Sequence, residues 1–238
     1  MTEEGRLLTD EPQHEPLTRR DIVVGRNSKV WQGLARDPQL SRKIGPAIGH
    51  RQTAAFEFRP NDRVWVFSYS RDERENAALL QALHGAGVSE LVYVSSSSTR
   101  VVAETNCYEY PRVKHRAELQ ALAHPAGKVL TIGLVYDTLD ELPAGENIAT
   151  SLGELAEFMQ APHWPDGQER RKYLFRSVPR PFVSGLEQAS YRVYGKVIFA
   201  LRRYPCLLRP IDLLLRALNV RWYGYVYLST GLWNSTTS

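Results

Sequence analysis

Tyr110 and Lys114 are the two residues whose types and spacing most clearly suggest chemistry. They lie four positions apart, so on a helix they would share one face, one turn from each other. A free tyrosine has a pKa near ~10, and a neighbouring lysine cation favours the phenolate and lowers that pKa. A nearby serine hydroxyl, such as those of Ser95 to Ser98, could hold a substrate oxygen while the tyrosine passes it a proton.

The segment before these serines predicts how they are positioned. Residues 91–94 form an apolar run of β-branched, aliphatic and aromatic side chains, which is typical of a buried strand. Ligands of open α/β sheets bind at the carboxyl ends of the strands. We therefore expect the serine hydroxyls at the site edge of a sheet, with a helix over 110–123 presenting Tyr110 and Lys114.

The rest of the chain alternates strand and helix patterns. The patterns predict strands at 21–24, 43–49, 63–69, 91–94 and 128–136, and helices at 29–35, 73–85 and 110–123. Such alternation indicates an α/β fold with a doubly wound, Rossmann-like parallel sheet. We expect a polar leader over 1–19, a dinucleotide-binding domain over 20–138, and a mostly helical C-terminal cap over 139–238 that is integrated with it. Helices are predicted in that cap at 148–160, 185–203 and 207–218.

Residues 75–98 resemble the central helix and strand of extended and atypical short-chain dehydrogenases/reductases, and the resemblance covers roughly 21–137. Tyr110 and Lys114 match the catalytic pair of that family, and Ser97 best matches its serine, with Ser96 second. The resemblance implies that Tyr110 is the acid/base, that Lys114 lowers its pKa and binds the cofactor ribose, and that Ser97 holds the substrate oxygen. It also implies an NAD(P)-dependent oxidoreductase or epimerase, acting on a nucleotide-linked sugar for surface polysaccharide synthesis.

The cofactor turn departs from the family pattern. The family has G-x-x-G-x-x-G after its first strand, and here Gly25, Ser28 and Trp31 occupy the three glycine places. A serine hydroxyl can still reach a phosphate, whereas an indole prevents the close packing that the third glycine permits. The resemblance then places the cofactor on Gly25, Arg26, Asn27, Ser28, Arg51 and Lys114. Because this turn is altered, a Rossmann-fold binding or regulatory protein without turnover is the alternative function.

The expected dinucleotide is NADP, with NAD as the alternative. No carboxylate follows the second predicted strand, where the sequence is Gly49-His50-Arg51. Arg51 and Arg26 could instead pair with a 2′-phosphate. Arg51 could equally be an ordinary surface residue after a strand, and the sequence leaves that choice open.

The composition and net charge indicate which classes of binding partner to expect. The net charge of +4 is modest, and most of the basic excess lies in the last third of the chain. Such a distribution suits a phosphate-bearing ligand, an anionic surface or a solvated face. The sequence carries no nucleic-acid-binding motif, so we expect a small-molecule substrate and no nucleic acid.

The cysteines and histidines point away from metal and disulfide chemistry. Cys107 and Cys206 lack a metal-ligand or redox spacing, and the six histidines do not cluster in sequence. We expect no metal, and a cytoplasmic location because no signal peptide is apparent. A homo-oligomer remains open.

A basic amphipathic stripe occupies the predicted helix at 207–218. Its apolar members are Leu207, Ile211, Leu214, Leu215 and Leu218, and Arg209, Arg216 and Arg221 flank them. Such a helix can lie in a membrane interface, although packing on its own domain or on a partner subunit is the more common arrangement. No run approaches the ~20 apolar residues that a spanning helix needs.

Overall fold

The structure is a computed structural model that describes residues 19–161, 164, 169–217 and 224–235. The predicted leader therefore lies outside the described residues, apart from Arg19. The strands are β1 (Asp21–Val24), β2 (Ala47–Ile48), β3 (Arg63–Val66), β4 (Glu90–Ser96), β5 (Gly127–Ile132), β6 (Leu134–Tyr136), β7 (Gly145–Ser151), β8 (Arg171–Leu174) and β9 (Arg176–Arg180). The α-helices are α1 (Lys29–Leu34), α2 (Pro38–Lys43), α3 (Glu73–Gly85), α4 (Glu109–Ala123), α5 (Leu152–Gln160), α6 (Gly185–Leu201), α7 (Pro205–Ala217) and α8 (Gly224–Asn234).

The predicted doubly wound parallel sheet is confirmed. Six strands lie in the order β2-β1-β3-β4-β5-β8, and every neighbouring pair is parallel. The chain adds β2 on one side of β1 and then β3 on the other, so the direction of winding reverses at β1. In open α/β sheets a reversal of this kind opens a crevice at the carboxyl ends of the strands.

Apolar side chains cover both faces of this sheet, as a buried parallel sheet requires. On one face Val23, Trp65 and Val92 pack with α1 and α5. On the other face Ile22, Leu91 and Tyr93 pack with α3 and α4. The alternation of neighbouring strand residues between the two faces determines which side chains of β4 point toward α4.

Three predicted strands differ from the structure, and the one predicted over 63–69 ends at Val66. Lys43 ends α2 instead of beginning a strand. Asp37 caps the start of that helix by accepting hydrogen bonds from the N–H groups of Gln39 and Leu40. The predicted strand over 128–136 is divided at Gly133 into β5 and β6. A Cβ at Gly133 would lie 2.4 Å from the Ile148 carbonyl oxygen, so a glycine is needed where the chain leaves the main sheet.

The predicted helical cap also contributes strands. Residues 145–151, expected in part as helix, form β7, which pairs with β6 and β9 in a second sheet. Ser151 then caps α5, and Glu154 completes a capping box. β8 joins the edge of the main sheet, so this region shares a sheet with the preceding strands.

The C-terminal part of the chain is helical, as predicted, and α8 returns to the carboxyl edge of the sheet. The stripe predicted at 207–218 is not buried as a unit: Ile211 is half-buried, whereas Leu207 and Leu214 are exposed. Among the α7 side chains that the structure describes, Leu208 is fully buried, against α6 and α8. Leu218 and the side chain of Leu215, which also belong to the predicted stripe, lie outside the described residues. No helix in the described part of the chain is long and apolar enough to span a bilayer.

Candidate active site

Tyr110 lies in the first turn of α4. Pro111 follows it and is tolerated there because the first N–H groups of a helix have no intrahelical partner. The Tyr110 ring packs against Tyr69, which lies just beyond β3, with ring centroids 5.0 Å apart. This arrangement brings the phenol to the carboxyl ends of β3 and β4.

Lys114 lies one turn further along α4 and is buried. Its Nζ donates a hydrogen bond to the Val94 carbonyl oxygen of β4 at 2.9 Å, and it lies 4.9 Å from the centre of the Tyr93 ring. Burial lowers the pKa of Lys114 to about 8, and the negative charge of Glu118 opposes that shift. The Lys114 ammonium group is therefore held at the sheet edge, and it loses its proton at a lower pH than an exposed lysine does.

The four serines take different positions at the end of β4. Ser95 donates to Oε1 of Glu118 on α4 at 2.5 Å. Ser96 is the neighbour whose side chain lowers the pKa of Tyr110, and its Oγ lies 2.9 Å from Oγ of Ser98. The structure thus brings Ser96, Tyr110 and Lys114 together.

Ser97, the better match to the family serine, is directed toward α8. The Ser229 Oγ lies 3.5 Å from the Ser97 Oγ, and the Trp233 Nε1 donates to the Ser97 carbonyl oxygen at 3.2 Å. Ser97 still borders the same cavity as Tyr110. The geometry favours Ser96 over Ser97 as the hydroxyl beside the tyrosine.

The net shift of the tyrosine pKa differs in sign from the expectation. Burial raises the pKa of Tyr110, and the neighbouring Ser96 side chain opposes this only in part. The predicted net lowering by Lys114 is therefore not found, although the lysine lies one helical turn away. Burial removes water from both side chains, and this disfavours the phenolate of Tyr110 and the ammonium of Lys114.

A cavity of about 920 Å³, here called the main cavity, joins these residues. It extends from Ser28 at the start of α1, past Tyr69 and the ends of β4 and β5, to α8. Its volume is in the range of cavities that hold cofactors and drug-sized ligands. The helix α8 closes one side through Tyr225, Val226, Ser229 and Thr230, which no sequence pattern had identified.

Four of the predicted cofactor residues, Gly25 to Ser28, lie at the turn after β1. Gly25 has φ of +112°, and a Cβ there would lie 2.5 Å from the Ser68 backbone nitrogen, so the turn requires glycine. Ser28 precedes α1 and borders the main cavity, whereas Arg26 and Asn27 are exposed beside the turn.

Arg51 lies apart from the main cavity. It is exposed on a short 3-10 helix after β2 and borders a second cavity of about 430 Å³. Tyr69 borders both cavities, so the two are neighbours. Arg26 approaches the same region, since its Nε lies 4.0 Å from the position of a Cβ on Gly49.

Trp31 occupies the place of the third family glycine. Its indole is buried and packs against Phe67 with ring centroids 6.2 Å apart. The tryptophan thus fills the core between α1 and the sheet and leaves the turn at Gly25 in place.

Glu118 is a site residue that the sequence analysis missed. Its side chain is 1% exposed, accepts from Ser95 and from Arg171 of β8, and lies 3.5 Å from His115. The sequence spacing could have identified it, because Glu118 follows Lys114 by four residues and so lies on the same helix face.

No family model matches this chain, and no curated protein sequence matches it. Solved structures share its fold at low identity. An NAD-dependent NDP-hexosamine 5,6-dehydratase involved in tunicamycin biosynthesis is 13% identical, with a TM-score of 0.50 over 76% of this chain and 81% of that chain. The UDP-N-acetylglucosamine 4-epimerase from Bacillus cereus is 12% identical, with a TM-score of 0.51 over 77% of this chain and 86% of that chain.

A short-chain dehydrogenase/reductase superfamily protein from Agrobacterium tumefaciens with bound NAD is 13% identical, with a TM-score of 0.52 over 72% of this chain and 82% of that chain. Likeness at this identity bears on the fold, and a fold hosts many functions. The chain therefore has the Rossmann-type fold found in NAD-dependent epimerases, dehydratases and short-chain dehydrogenases/reductases.

Proposed function

We propose that this protein is an NADP-dependent oxidoreductase or epimerase of the short-chain dehydrogenase/reductase type, acting on a nucleotide-linked sugar for surface polysaccharide synthesis. One observation carries the proposal. Ser96, Tyr110 and Lys114 come together at the carboxyl edge of a doubly wound sheet, in a cavity that begins at the turn after β1.

Proton transfer is the role of Tyr110. The Ser96 and Tyr110 hydroxyls would both hold a substrate oxygen, and Tyr110 would exchange a proton with that oxygen. Lys114 carries a positive charge one turn away, and this charge by itself favours the phenolate, although burial keeps the net pKa of Tyr110 raised. When bound, the nicotinamide ring would accept or supply the hydride.

The residues around β1 fit a dinucleotide. Gly25 keeps the turn close to β3, and Ser28 offers a hydroxyl at the main cavity. The exposed guanidinium groups of Arg26 and Arg51 would pair with a 2′-phosphate, and this chemistry is our reason for proposing NADP over NAD. The dehydratase and the Agrobacterium protein are described with NAD. The proposed preference for NADP therefore rests on Arg26 and Arg51 alone.

A binding or regulatory protein without turnover is the second candidate. Trp31 in the third glycine place favours it, and so does the raised pKa of Tyr110. A protein of this type would keep the cavities and bind the dinucleotide without transferring a hydride.

Calorimetric titration with NADPH and NADH tests cofactor binding. We expect tighter binding of NADPH, and we expect Arg26→Ala and Arg51→Ala to reduce its affinity toward that of NADH. Arg74→Ala, which removes an exposed arginine from α3, is the control and should leave the preference unchanged. Equal affinities for the two cofactors would contradict the arginine argument.

Turnover is tested separately, with NADPH or NADP and a panel of nucleoside-diphosphate sugars. Formation of an epimerised, reduced or oxidised sugar supports the enzyme. Tight NADPH binding without turnover of any member of the panel favours the regulatory protein.

A further inference from the structure

The helices α6 and α7 expose apolar side chains at helical spacing. On α7 the exposed residues include Leu207, Leu213 and Leu214, of which Leu213 is 67% and Leu214 is 59% exposed. Cys206, Pro210 and Ala217 share that side of the helix. Leu208, on a different side, is buried against α6 and α8, and the half-buried Ile211 packs against the same cluster.

The exposed side of α6 has the same character. Leu186, Val193 and Val197 are exposed at spacings of seven and four residues, which place them in one row along the helix. Ile198 is fully buried and packs against α7 and α8. The exposed rows of the two helices together are here called the α6–α7 face.

Basic residues flank this face. Arg192, Lys196, Arg203 and Arg209 are exposed, and none forms an ion pair with a described residue. Over residues 185–217 the sequence contains two acidic residues, Glu187 and Asp212, against six basic residues. Glu187 caps its own helix by accepting from the N–H of Val183 at 2.8 Å.

We propose that the α6–α7 face binds the interface of an anionic membrane. The exposed aliphatic side chains would enter the boundary between headgroups and acyl chains, and the arginines and lysine would pair with anionic headgroups. The combination of leucine, valine and unpaired positive charge matches that surface. A second copy of the chain is a poorer match, because a symmetric contact would place the same positive charges opposite each other.

Co-sedimentation of the full chain with vesicles tests the proposal. One set of vesicles is phosphatidylcholine, and the other is phosphatidylcholine mixed with phosphatidylglycerol. We expect binding to the mixed vesicles, weaker binding to phosphatidylcholine alone, and release by added salt. Replacing Arg192 or Lys196 by glutamate should weaken binding at least about fivefold per lost cation.

Leu213→Asp should abolish most of this binding, because it introduces a charge where an aliphatic group enters the interface. Leu119→Asp is the matched control: Leu119 is 53% exposed on α4, away from this face. Arg42→Glu on α2 controls for net charge. Thermal unfolding of each variant verifies that it remains folded.

Three results would overturn the proposal. They are absence of vesicle binding, equal binding to both sets of vesicles, and equal loss of binding in Leu213→Asp and Leu119→Asp. A concentration-dependent dimer in sedimentation velocity that Leu213→Asp abolishes would instead assign the face to a second copy of the chain. Cofactor binding at the main cavity is measured independently of all these outcomes.

Discussion

The Nζ of Lys114 donates a hydrogen bond to the Val94 carbonyl oxygen at 2.9 Å, and this contact ties α4 to the strand that carries the serines. The lysine is buried there, so its charge is costly, and Glu118 one turn further along α4 reduces that cost. Glu118 is itself held by Ser95 of β4 and Arg171 of β8. The position and charge of Lys114 thus depend on three elements of the fold.

This relationship predicts how cofactor affinity depends on pH. The pKa of Lys114 is lowered to about 8, so its positive charge is present below that pH and is lost as the pH rises through it. If Lys114 binds the cofactor ribose, NADPH affinity should fall above about pH 8. Calorimetric titration over a pH series measures the midpoint.

Glu118→Gln provides the sharper form of that experiment. The carboxylate raises the pKa of Lys114, so its loss should move the midpoint to lower pH. Lys114→Met should bind weakly and show no such midpoint. A wild-type affinity that stays constant as the pH crosses about 8 would contradict the role given to Lys114.

Tyr110→Phe should remove turnover while leaving cofactor affinity nearly unchanged. Only the hydroxyl is lost, and the ring can still pack against Tyr69 and Tyr225. An acid/base group contributes ~10²–10⁴-fold to rate. Turnover of an identified substrate measures the loss, and a variant that keeps wild-type rates would exclude Tyr110 as the acid/base.

Ser96→Ala and Ser97→Ala separate the two candidate hydroxyls. Ser96 is the neighbour whose side chain lowers the pKa of Tyr110, whereas Ser97 is directed toward Ser229 of α8. We expect Ser96→Ala to lower kcat strongly, and Ser97→Ala to affect mainly the free energy of unfolding. A larger kcat loss in Ser97→Ala would restore the assignment made from the family resemblance.

Gly25→Ala should destabilise the protein. The φ of +112° is unfavourable for any residue with a Cβ, and that Cβ would lie 2.5 Å from the Ser68 nitrogen. The backbone strain alone is worth roughly 1–3 kcal/mol. Chemical denaturation measures the change in the free energy of unfolding.

Gly153→Ala is the matched control for that substitution. Gly153 lies within α5, and a Cβ there would meet nothing within 4 Å. Alanine at a helical position is better than glycine by roughly 0.5–1 kcal/mol, so this variant should be slightly more stable. Similar destabilisation of both variants would contradict the special role of the Gly25 turn.

The parts of the fold predicted from sequence are those that local patterns determine. The bounds of β1 and α3 match the prediction residue for residue. In an unbroken apolar strand or an amphipathic helix, the spacing of the apolar residues shows which faces of the element are buried. The position of Tyr110 and Lys114 on one face of α4 was predictable for the same reason, since four residues make about one helical turn.

Features that depend on distant parts of the chain were not predictable in this way. Residues 148–151 have a helical pattern, yet they pair with β6 and β9, which lie before and after them in sequence. The choice of Ser96 over Ser97 depends on the register of β4 with β5, where Ser96 is opposite Ile132, and on α8.

The amino-acid sequence by itself determined the parallel sheet, the helix that carries Tyr110 and Lys114, and the glycine turn after β1. Only the tertiary structure decided which serine meets the tyrosine, which helix closes the cavity, and that Leu208 packs while Leu213 remains exposed. The physical reason is that periodicity within one element specifies an apolar face. It does not specify which distant element, if any, covers that face.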